Sequence, residues 1–265
     1  MKDPSLLLFV FVIFFAISCS NCTSTNADNK KQSFTEPPKK IVKNSVSKEI
    51  LLGKITPSKD TNFSSVEIKY ASRKGFFMQK EAYLSFKKMY DAALKNGIKL
   101  TILSATRTFN EQKVIWEGKW TGKIYYFGKN IATLYPDPVE RSKYVLKYSS
   151  MPGTSRHHWG TDVDLNSMEL SYFKTEIGKK TYNWLSVNAY KYGFCQPYTV
   201  KDSQRINGYE EEKWHWSYYP IASIYLKEYK ENISFEDIKG FAGCETAFKI
   251  DIINKYVLSV NKDCQ

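Results

Sequence analysis

The chain has 265 residues, which suits one domain with appendages or at most two small domains. Its formal net charge of +12 indicates either attraction to a polyanion or a membrane surface, or a lysine-rich solvated surface. The lysines are scattered along the chain and no nucleic-acid-binding module is recognisable, so we expect no nucleic-acid partner.

The N-terminus has the pattern of an export signal. Lys2 precedes an unbroken apolar run over residues 6–17, which is too short to cross a bilayer because a spanning helix needs about 20 residues. Residues 16–19 have the sequence Ala-Ile-Ser-Cys and resemble a bacterial lipobox, with Ala in place of the usual Leu. We therefore expect a signal peptide over 1–19, lipidation at Cys19 and export to the cell envelope, in the periplasm or lipid-anchored at a membrane. Ordinary cleavage and a retained membrane anchor are the alternatives.

The cysteines are consistent with an exported protein. Cys19 and Cys22 lie at the signal boundary. The remaining three, Cys195, Cys244 and Cys264, allow at most one disulfide, and the sequence leaves all three pairings open. Their wide spacing is not typical of a structural zinc site.

Residues 20–62 are rich in Ser, Thr, Asn, Lys and Pro, a composition that cannot bury enough apolar surface to fold alone. The segment is therefore predicted to be a disordered tether, with Ile50–Leu52 as a local contact point. The folded domain is predicted over residues 63–265, including helices near the C-terminus.

Hydrophobic spacing and turn residues predict helices and strands in an irregular order. An apolar face between Gln79 and Asn96 predicts a helix, and alternation over residues 98–103 predicts a half-buried strand that leads into a polar turn and a short helix. The other predicted elements are a loop over 116–129, a helix over 138–148, a turn at 152–153, a helix over 176–192 ended by Gly193, a strand over 214–218, and helices over 222–229 and 245–260. Such a mixture predicts an α+β fold.

All three histidines fall in two short stretches that also carry carboxylates, residues 155–164 and residues 212–216. Catalytic zinc sites take three protein ligands from His, Asp, Glu or Cys and leave one position for water. If these histidines had only ordinary roles in the core or on the surface, their placement in the same two stretches would be a coincidence. The two stretches therefore predict a metal site.

The expected local structure lets these residues converge. Asp162 and Asp164 point to one face if the segment around them is a strand. His157 can turn back toward them because Gly160 follows it. His215 would approach from a neighbouring strand and complete the set of ligands.

The spacing Ser-x-His-x-x-Gly-x-x-x-Asp over residues 155–164, followed by Glu-x-Trp-His over 212–215, resembles the zinc D-alanyl-D-alanine carboxypeptidases of peptidase family M15, VanY-like and VanX-like. A third stretch, 104–109 with Gln112, is similar to the family's Ser-Gly-Tyr-Arg-Ser-Tyr. The three stretches follow the family's order and cover roughly residues 66–230. The resemblance implies a small central antiparallel sheet with flanking helices, as in lysostaphin-type enzymes and the hedgehog signalling domain.

The resemblance also implies roles for individual residues. The ligands of one Zn²⁺ ion would be His157, Asp164 and His215. Glu212 would be the catalytic base, although in a regular strand it would face away from His215, so a bend near Lys213 is required. Arg107 would bind the substrate or its developing oxyanion, and Ser155 would contact the substrate.

Two residues depart from the family's pattern. Asp162 stands where the family usually has a small residue, and we expect it near the metal as a partner of a ligand, as a substitute ligand, or paired with a nearby Lys or Arg. His158 has no counterpart among the family's ligands and would contact the substrate or flank the cleft. Four aromatic residues lie near the motifs: Trp159, Trp214, Trp216 and Tyr218. They would line the cleft, or half of them would face the core instead.

These features together predict a monomeric zinc carboxypeptidase that hydrolyses the C-terminal D-alanine, or related D-amino acid, bond of peptidoglycan stem peptides. The Arg107 cation favours a substrate with a free C-terminus. A cell-wall cross-bridge endopeptidase and a non-catalytic zinc-containing binding module are the alternatives. The sequence does not decide between D,D and L,D specificity.

Overall fold

The computed structural model describes residues 46–265. The predictions for the signal peptide, for lipidation at Cys19 and for the first part of the tether lie outside these residues. Within residues 46–265 no helix combines the length and the apolar character that a membrane span requires.

Helices and short strands alternate irregularly along the described chain. The helices are α1 Lys48–Leu51, α2 Lys80–Lys95, α3 Phe109–Trp120, α4 Ile131–Leu134, α5 Pro138–Val145, α6 Glu176–Asn188, α7 Tyr219–Asn232 and α8 Thr246–Lys249. The strands are β1 Phe63–Ser65, β2 Phe77–Gln79, β3 Ile102–Ser104, β4 Asp162–Leu165, β5 Phe194–Cys195 and β6 His215–Tyr218.

The strands form two antiparallel sheets. Strands β1 and β2 pair with each other, and the other four follow the order β3-β4-β6-β5. Two clusters of buried hydrophobic residues surround the four-stranded sheet. One cluster includes Trp116 of α3 and Tyr229 of α7, and the other includes Phe86 of α2 and Val163 of β4. The predicted α+β fold with a small antiparallel sheet is therefore confirmed.

Three predicted elements differ from the observed ones. Residues 98–103 alternate in burial as predicted, but ladder pairing with β4 begins only at Ile102. The predicted loop over 116–129 was wrong at its start, because α3 continues to Trp120, whose ring stacks on Trp116 one turn earlier. The predicted C-terminal helix is broken at Asp251, where the backbone has a φ of 52°.

The folded part of the chain begins before residue 63, in contrast to the predicted tether. Ser47 caps the short helix α1, and Leu51 and Leu52 are buried in the core. The backbone oxygen of Leu51 accepts a hydrogen bond from Trp159 Nε1 (3.2 Å). A polar composition prevents a segment from folding alone, but two leucines are enough for it to pack on a core that other elements form. This contact lies within the expected contact point at Ile50–Leu52.

A disulfide joins Cys195 of β5 to Cys264 near the C-terminus, and Cys244 has no disulfide partner within residues 46–265. Of the three pairings that the sequence allowed, the structure contains the one that ties the last residues of the chain to the edge of the four-stranded sheet.

Candidate metal centre

Two adjacent antiparallel strands place four polar side chains on one face of the sheet. In the register of β4 and β6, Asp164 lies opposite His215 and Asp162 lies opposite Ser217. Alternate residues of a strand point to the same face, and directly opposite residues are neighbours. Asp162 and Asp164 therefore point to the same face of the sheet, as predicted. The strand that carries His215 lies directly beside them.

His157 reaches the same place from a one-turn 3₁₀ helix, Arg156–Trp159, which ends at Gly160 with a φ of 72°. The His157 Nδ1 atom lies 2.8 Å from the backbone oxygen of Ala105 and donates to it. The lone pair of Nε2 is thereby left free, and Nε2 lies 3.3 Å from Oδ2 of Asp164.

His215 is held in the complementary way. Its Nε2 atom lies 2.8 Å from Oδ2 of Asp162, while its Nδ1 atom faces Asp164 Oδ1 (3.5 Å) and Glu212 Oε2 (3.1 Å). One potential ligand atom from each of His157, Asp164 and His215 lies within 4.8 Å of the other two. The structure therefore brings together the three residues that the sequence predicted as ligands.

The donor atoms fit a divalent cation. Among the described residues, His157 Nε2 and Asp164 Oδ1 are buried without a hydrogen-bond partner. Burial lowers the pKa of His215, but hydrogen bonds to Asp162 and Glu212 outweigh burial and raise it to about 9. The carboxylates thus favour positive charge here, and a cation at Nδ1 would take the place of a proton. Two imidazoles and one carboxylate are a ligand set typical of zinc.

Asp162 binds His215, one of the predicted ligands, and both of its carboxylate oxygens accept hydrogen bonds from neighbouring side chains. Oδ2 accepts hydrogen bonds from Arg156 Nε (3.0 Å) and His215 Nε2 (2.8 Å), and Oδ1 accepts from Thr161 Oγ1 (2.6 Å) and Ser217 Oγ (2.8 Å). Burial raises the pKa of Asp162, but Arg156 and His215 outweigh it and hold that pKa well below its usual range. Of the roles expected for Asp162, the structure places it as a partner of His215 that also pairs with an arginine.

Glu212 lies beside the three predicted ligand residues because the chain turns before β6. The backbone N–H of His215 donates to the Glu212 oxygen (3.3 Å), which closes the bend that the sequence required near Lys213. Glu212 is only 6% exposed. Burial raises its pKa, and the hydrogen bond with His215 opposes that rise. The Glu212 carboxylate thus faces the metal position without being needed as a fourth ligand.

Arg107 stands between β3 and α3, one residue before the helix cap. The cap is a reciprocal pair in which Thr108 and Glu111 bind each other's backbone N–H groups. The Arg107 Nη1 atom donates to Gln112 Oε1 (2.8 Å), and Nη2 lies 3.7 Å from Asp164 Oδ2. Arg107 Nε has no partner among the described residues. The guanidinium is therefore held at the cleft, and some of its N–H groups remain free to donate hydrogen bonds to an anion.

Ser155 and His158 do not line the cleft. Ser155 is 1% exposed and His158 is fully buried. The His158 Nδ1 atom donates to the Arg107 oxygen (2.7 Å), and Nε2 accepts from the Gly153 N–H (3.0 Å). Burial lowers the pKa of His158 to about 3, so the ring is neutral. Gly53 packs against this ring, since a Cβ on Gly53 would lie 2.3 Å from Nδ1. His158 therefore braces the backbone of Arg107 from behind the site.

A cleft of about 990 Å³ leads to the metal position. Of the four aromatic residues considered for its walls, Trp214 lines it, whereas the other three belong to the hydrophobic clusters. Sequence reasoning missed most of the lining outside the motifs, including one lysine and four tyrosines: Lys119, Tyr126, Tyr148, Tyr198 and Tyr209. They lie outside the motifs, and only the helical spacing of Lys119 with Glu111 and Ile115 could have indicated one of them.

Comparisons with known proteins give a consistent result. Residues 75–221, more than half of the chain, match the family model described as VanY, D-alanyl-D-alanine carboxypeptidase. YodJ of Bacillus subtilis (strain 168) is 32% identical over 144 residues, which cover 54% of this chain and 46% of YodJ. A D-alanyl-D-alanine carboxypeptidase of Enterococcus faecalis is 28% identical over 149 residues, 56% of this chain and 50% of the relative. The chain thus spans about half the length of these curated relatives.

Among solved structures, a VanY D,D-pentapeptidase variant in complex with Zn(II) aligns with a TM-score of 0.44 and 21% identity. The alignment covers 69% of this chain and 93% of that one.

Proposed function

The chain belongs to the VanY family of D-alanyl-D-alanine carboxypeptidases, and on this premise we propose that it is a zinc-dependent carboxypeptidase of peptidoglycan stem peptides. It would remove the C-terminal D-alanine or a related D-amino acid. The observation that carries the proposal is the convergence of three potential ligand atoms within 4.8 Å of one another, with a buried glutamate beside them at a cleft.

The metal would be held by His157, Asp164 and His215. A zinc ion bound there supplies Lewis acidity, which polarises a carbonyl and makes water more acidic. The chain contributes the orientation of the ligands. Asp162 and the Ala105 oxygen each accept the proton on the outer nitrogen of one imidazole, so the inner nitrogens point at one position.

Glu212 would act as the general base. Its carboxylate would take a proton from the attacking water and deliver it to the leaving amine. The support is positional: Oε2 lies 3.1 Å from the inner nitrogen of His215, on the cleft side of the site. Its backbone N–H donates to the Tyr198 oxygen (2.9 Å), which fixes the bend that aims the carboxylate.

Arg107 would bind the carboxylate at the substrate's C-terminus or the developing oxyanion. Its guanidinium has an unpartnered Nε and lines the same cleft. A cation at this place favours a free C-terminus over an internal peptide segment. This preference supports a carboxypeptidase rather than a cross-bridge endopeptidase.

Peptidoglycan lies in the cell envelope, and the family's activity places its action there. For this chain we propose export by the signal over residues 1–19, lipid attachment at Cys19, and a monomeric enzyme. Metabolic labelling with palmitate would test the anchor. Label that persists in a Cys19→Ala variant would contradict lipid attachment at this residue.

Product analysis with three defined substrates tests the proposed reaction. These are a pentapeptide ending in D-Ala-D-Ala, the tetrapeptide without its last residue, and a cross-linked muropeptide. We expect loss of one terminal residue from the pentapeptide or the tetrapeptide, which also settles D,D against L,D specificity. Glu212→Gln should lower the rate by roughly 10²–10⁴-fold. Cleavage of the cross-link alone would establish an endopeptidase, and no cleavage of any substrate would contradict the proposal.

A further inference from the structure

Helix α3 forms one wall of the cleft and carries a second cation in its last turn. Glu111, Ile115 and Lys119 recur every four residues and all line the cleft, so one face of the helix points into it. Long side chains on a helix lean back toward its N-terminus. The Lys119 side chain therefore leans toward the end of α3 where Arg107 stands.

The Lys119 ammonium has no acidic partner in the described part of the chain. Nζ donates to Ser149 Oγ and lies 4.2 Å from the centre of the Tyr126 ring. No carboxylate within residues 46–265 lies closer than 4.0 Å to it. Burial and the neighbouring Arg107 charge lower the pKa of Lys119 to about 8, against the opposing effect of the Glu212 carboxylate. A partly desolvated charge with no carboxylate at ion-pair distance favours the binding of an anion.

Lys119 and Arg107, two of the cationic residues that line the cleft, are attached to the same short segment. Lys119 contacts Ser149, while Gln112, which holds Arg107 Nη1, donates to the oxygen of Ser150 (2.8 Å). Consecutive residues thus anchor both groups on one side of the cleft. Two cations so placed repel each other, and one anion between them would relieve that repulsion.

We propose that Lys119 and Arg107 together form the pocket for the C-terminal carboxylate of the substrate. The inference rests on the proposed carboxypeptidase function and extends it to a residue outside the family's motifs. Arg107 supplies planar donors fixed by Gln112, and Lys119 supplies a compact point charge held by Ser149. The two-cation pocket would make recognition depend on a free carboxylate, so that a C-terminal amide is a poor substrate.

Lys119→Met tests the pocket, because Met keeps the apolar stem and removes the charge. Lys113→Met is the matched control, since Lys113 lies on the same helix but its Nζ binds the Gly240 oxygen outside the cleft. For Lys119→Met we expect KM for a pentapeptide acid to rise about 10- to 100-fold with kcat little changed. KM for the matching amide should stay as in the wild type, Lys113→Met should behave as the wild type, and Lys119→Arg should recover most of the affinity.

The pocket would be overturned by an unchanged KM for the acid in Lys119→Met, or by equal losses of affinity for the acid and the amide. An effect confined to peptides with an additional side-chain carboxylate would also overturn it, because Lys119 would then serve another part of the substrate.

Failure of the proposed function is distinguishable from failure of the pocket. If the wild type releases no terminal residue, calorimetric binding of D-Ala-D-Ala and of its amide replaces the kinetics. If the wild type binds the acid more tightly than the amide and Lys119→Met does not, the result would still support the pocket. Equal binding of acid and amide by the wild type would overturn it.

Discussion

Asp162 and His215 face each other across neighbouring strands, with Oδ2 of the aspartate 2.8 Å from Nε2 of the imidazole. By the motif resemblance, Asp162 stands where the family's pattern has a small residue. The contact fixes the proton of His215 on Nε2 and leaves Nδ1 toward the metal position. The chain's departure from its family's pattern thus acts directly on a proposed ligand.

We therefore expect Asp162→Ala to weaken zinc binding by roughly 10- to 100-fold, because His215 loses the partner that orients it. Competition with a chromogenic chelator would measure the affinity. Asp162→Asn is the matched variant, since its amide oxygen can still accept the hydrogen bond from His215 Nε2. It should lose less zinc affinity than Asp162→Ala. Unchanged affinity in Asp162→Ala would show that the contact does not orient the ligand.

The same carboxylate also neutralises Arg156, a residue that is 1% exposed and whose guanidinium lies 4.8 Å from the centre of the Trp159 ring. Removing Asp162 leaves a buried charge unpaired, which costs about 3–5 kcal/mol of unfolding free energy. Denaturant unfolding of the metal-free protein should show this loss in Asp162→Ala. The double variant Arg156→Leu with Asp162→Ala should recover part of it, and an equal loss in both would contradict the pairing.

Gly53 links the N-terminal segment to the site through His158. Gly53→Ala should be destabilising for two reasons: its φ is +73°, and the new Cβ would lie 2.3 Å from the imidazole. Gly128 is the control, because it has a φ of +70° and no neighbour within 4 Å. Gly128→Ala should lose only the backbone cost of about 1–2 kcal/mol. Gly53→Ala should lose clearly more unfolding free energy than Gly128→Ala. It should also raise KM, because a displaced His158 would shift Arg107. Equal losses of unfolding free energy in the two variants would contradict the role of His158 in supporting Arg107.

The pH dependence of substrate binding should report Lys119. Its ammonium form binds a carboxylate, and the pKa of about 8 means that this form is lost as pH rises through that value. KM for the peptide acid should therefore increase above about pH 8. Arg107 and Glu212 are the charged groups that act on Lys119, and both are still present in the Lys119→Arg variant. The arginine stays charged over this pH range, so this variant should show no such rise in KM. A rise of equal size in Lys119→Arg would assign the pH dependence to another group.

Motif spacing predicted the central part of the site because ligands of one metal must converge whatever the rest of the chain does. His157, Asp164, His215 and Glu212 lie in two stretches whose local structure follows from a glycine turn and strand parity. The bend that Glu212 required was also predictable, since a regular strand would have pointed it away.

The rest of the site depends on tertiary packing that no local pattern records. Lys119 enters the cleft only because α3 extends through residues that were predicted as a loop. Ser155 lies in the expected stretch but is buried behind the site, because the 3₁₀ turn that follows it directs His157 to the cleft instead. The packing of Leu51 on the core is likewise a long-range contact that composition does not reveal.

The zinc content of the purified protein tests the central claim most directly. After reconstitution and removal of excess metal, the wild type and Glu212→Gln should each hold about one zinc per chain, and His157→Ala and His215→Ala should hold almost none. This result would make the two histidines ligands and leave Glu212 free to act as the base. A wild type without zinc, or a Glu212→Gln variant that loses zinc as completely as the histidine variants, would contradict the account.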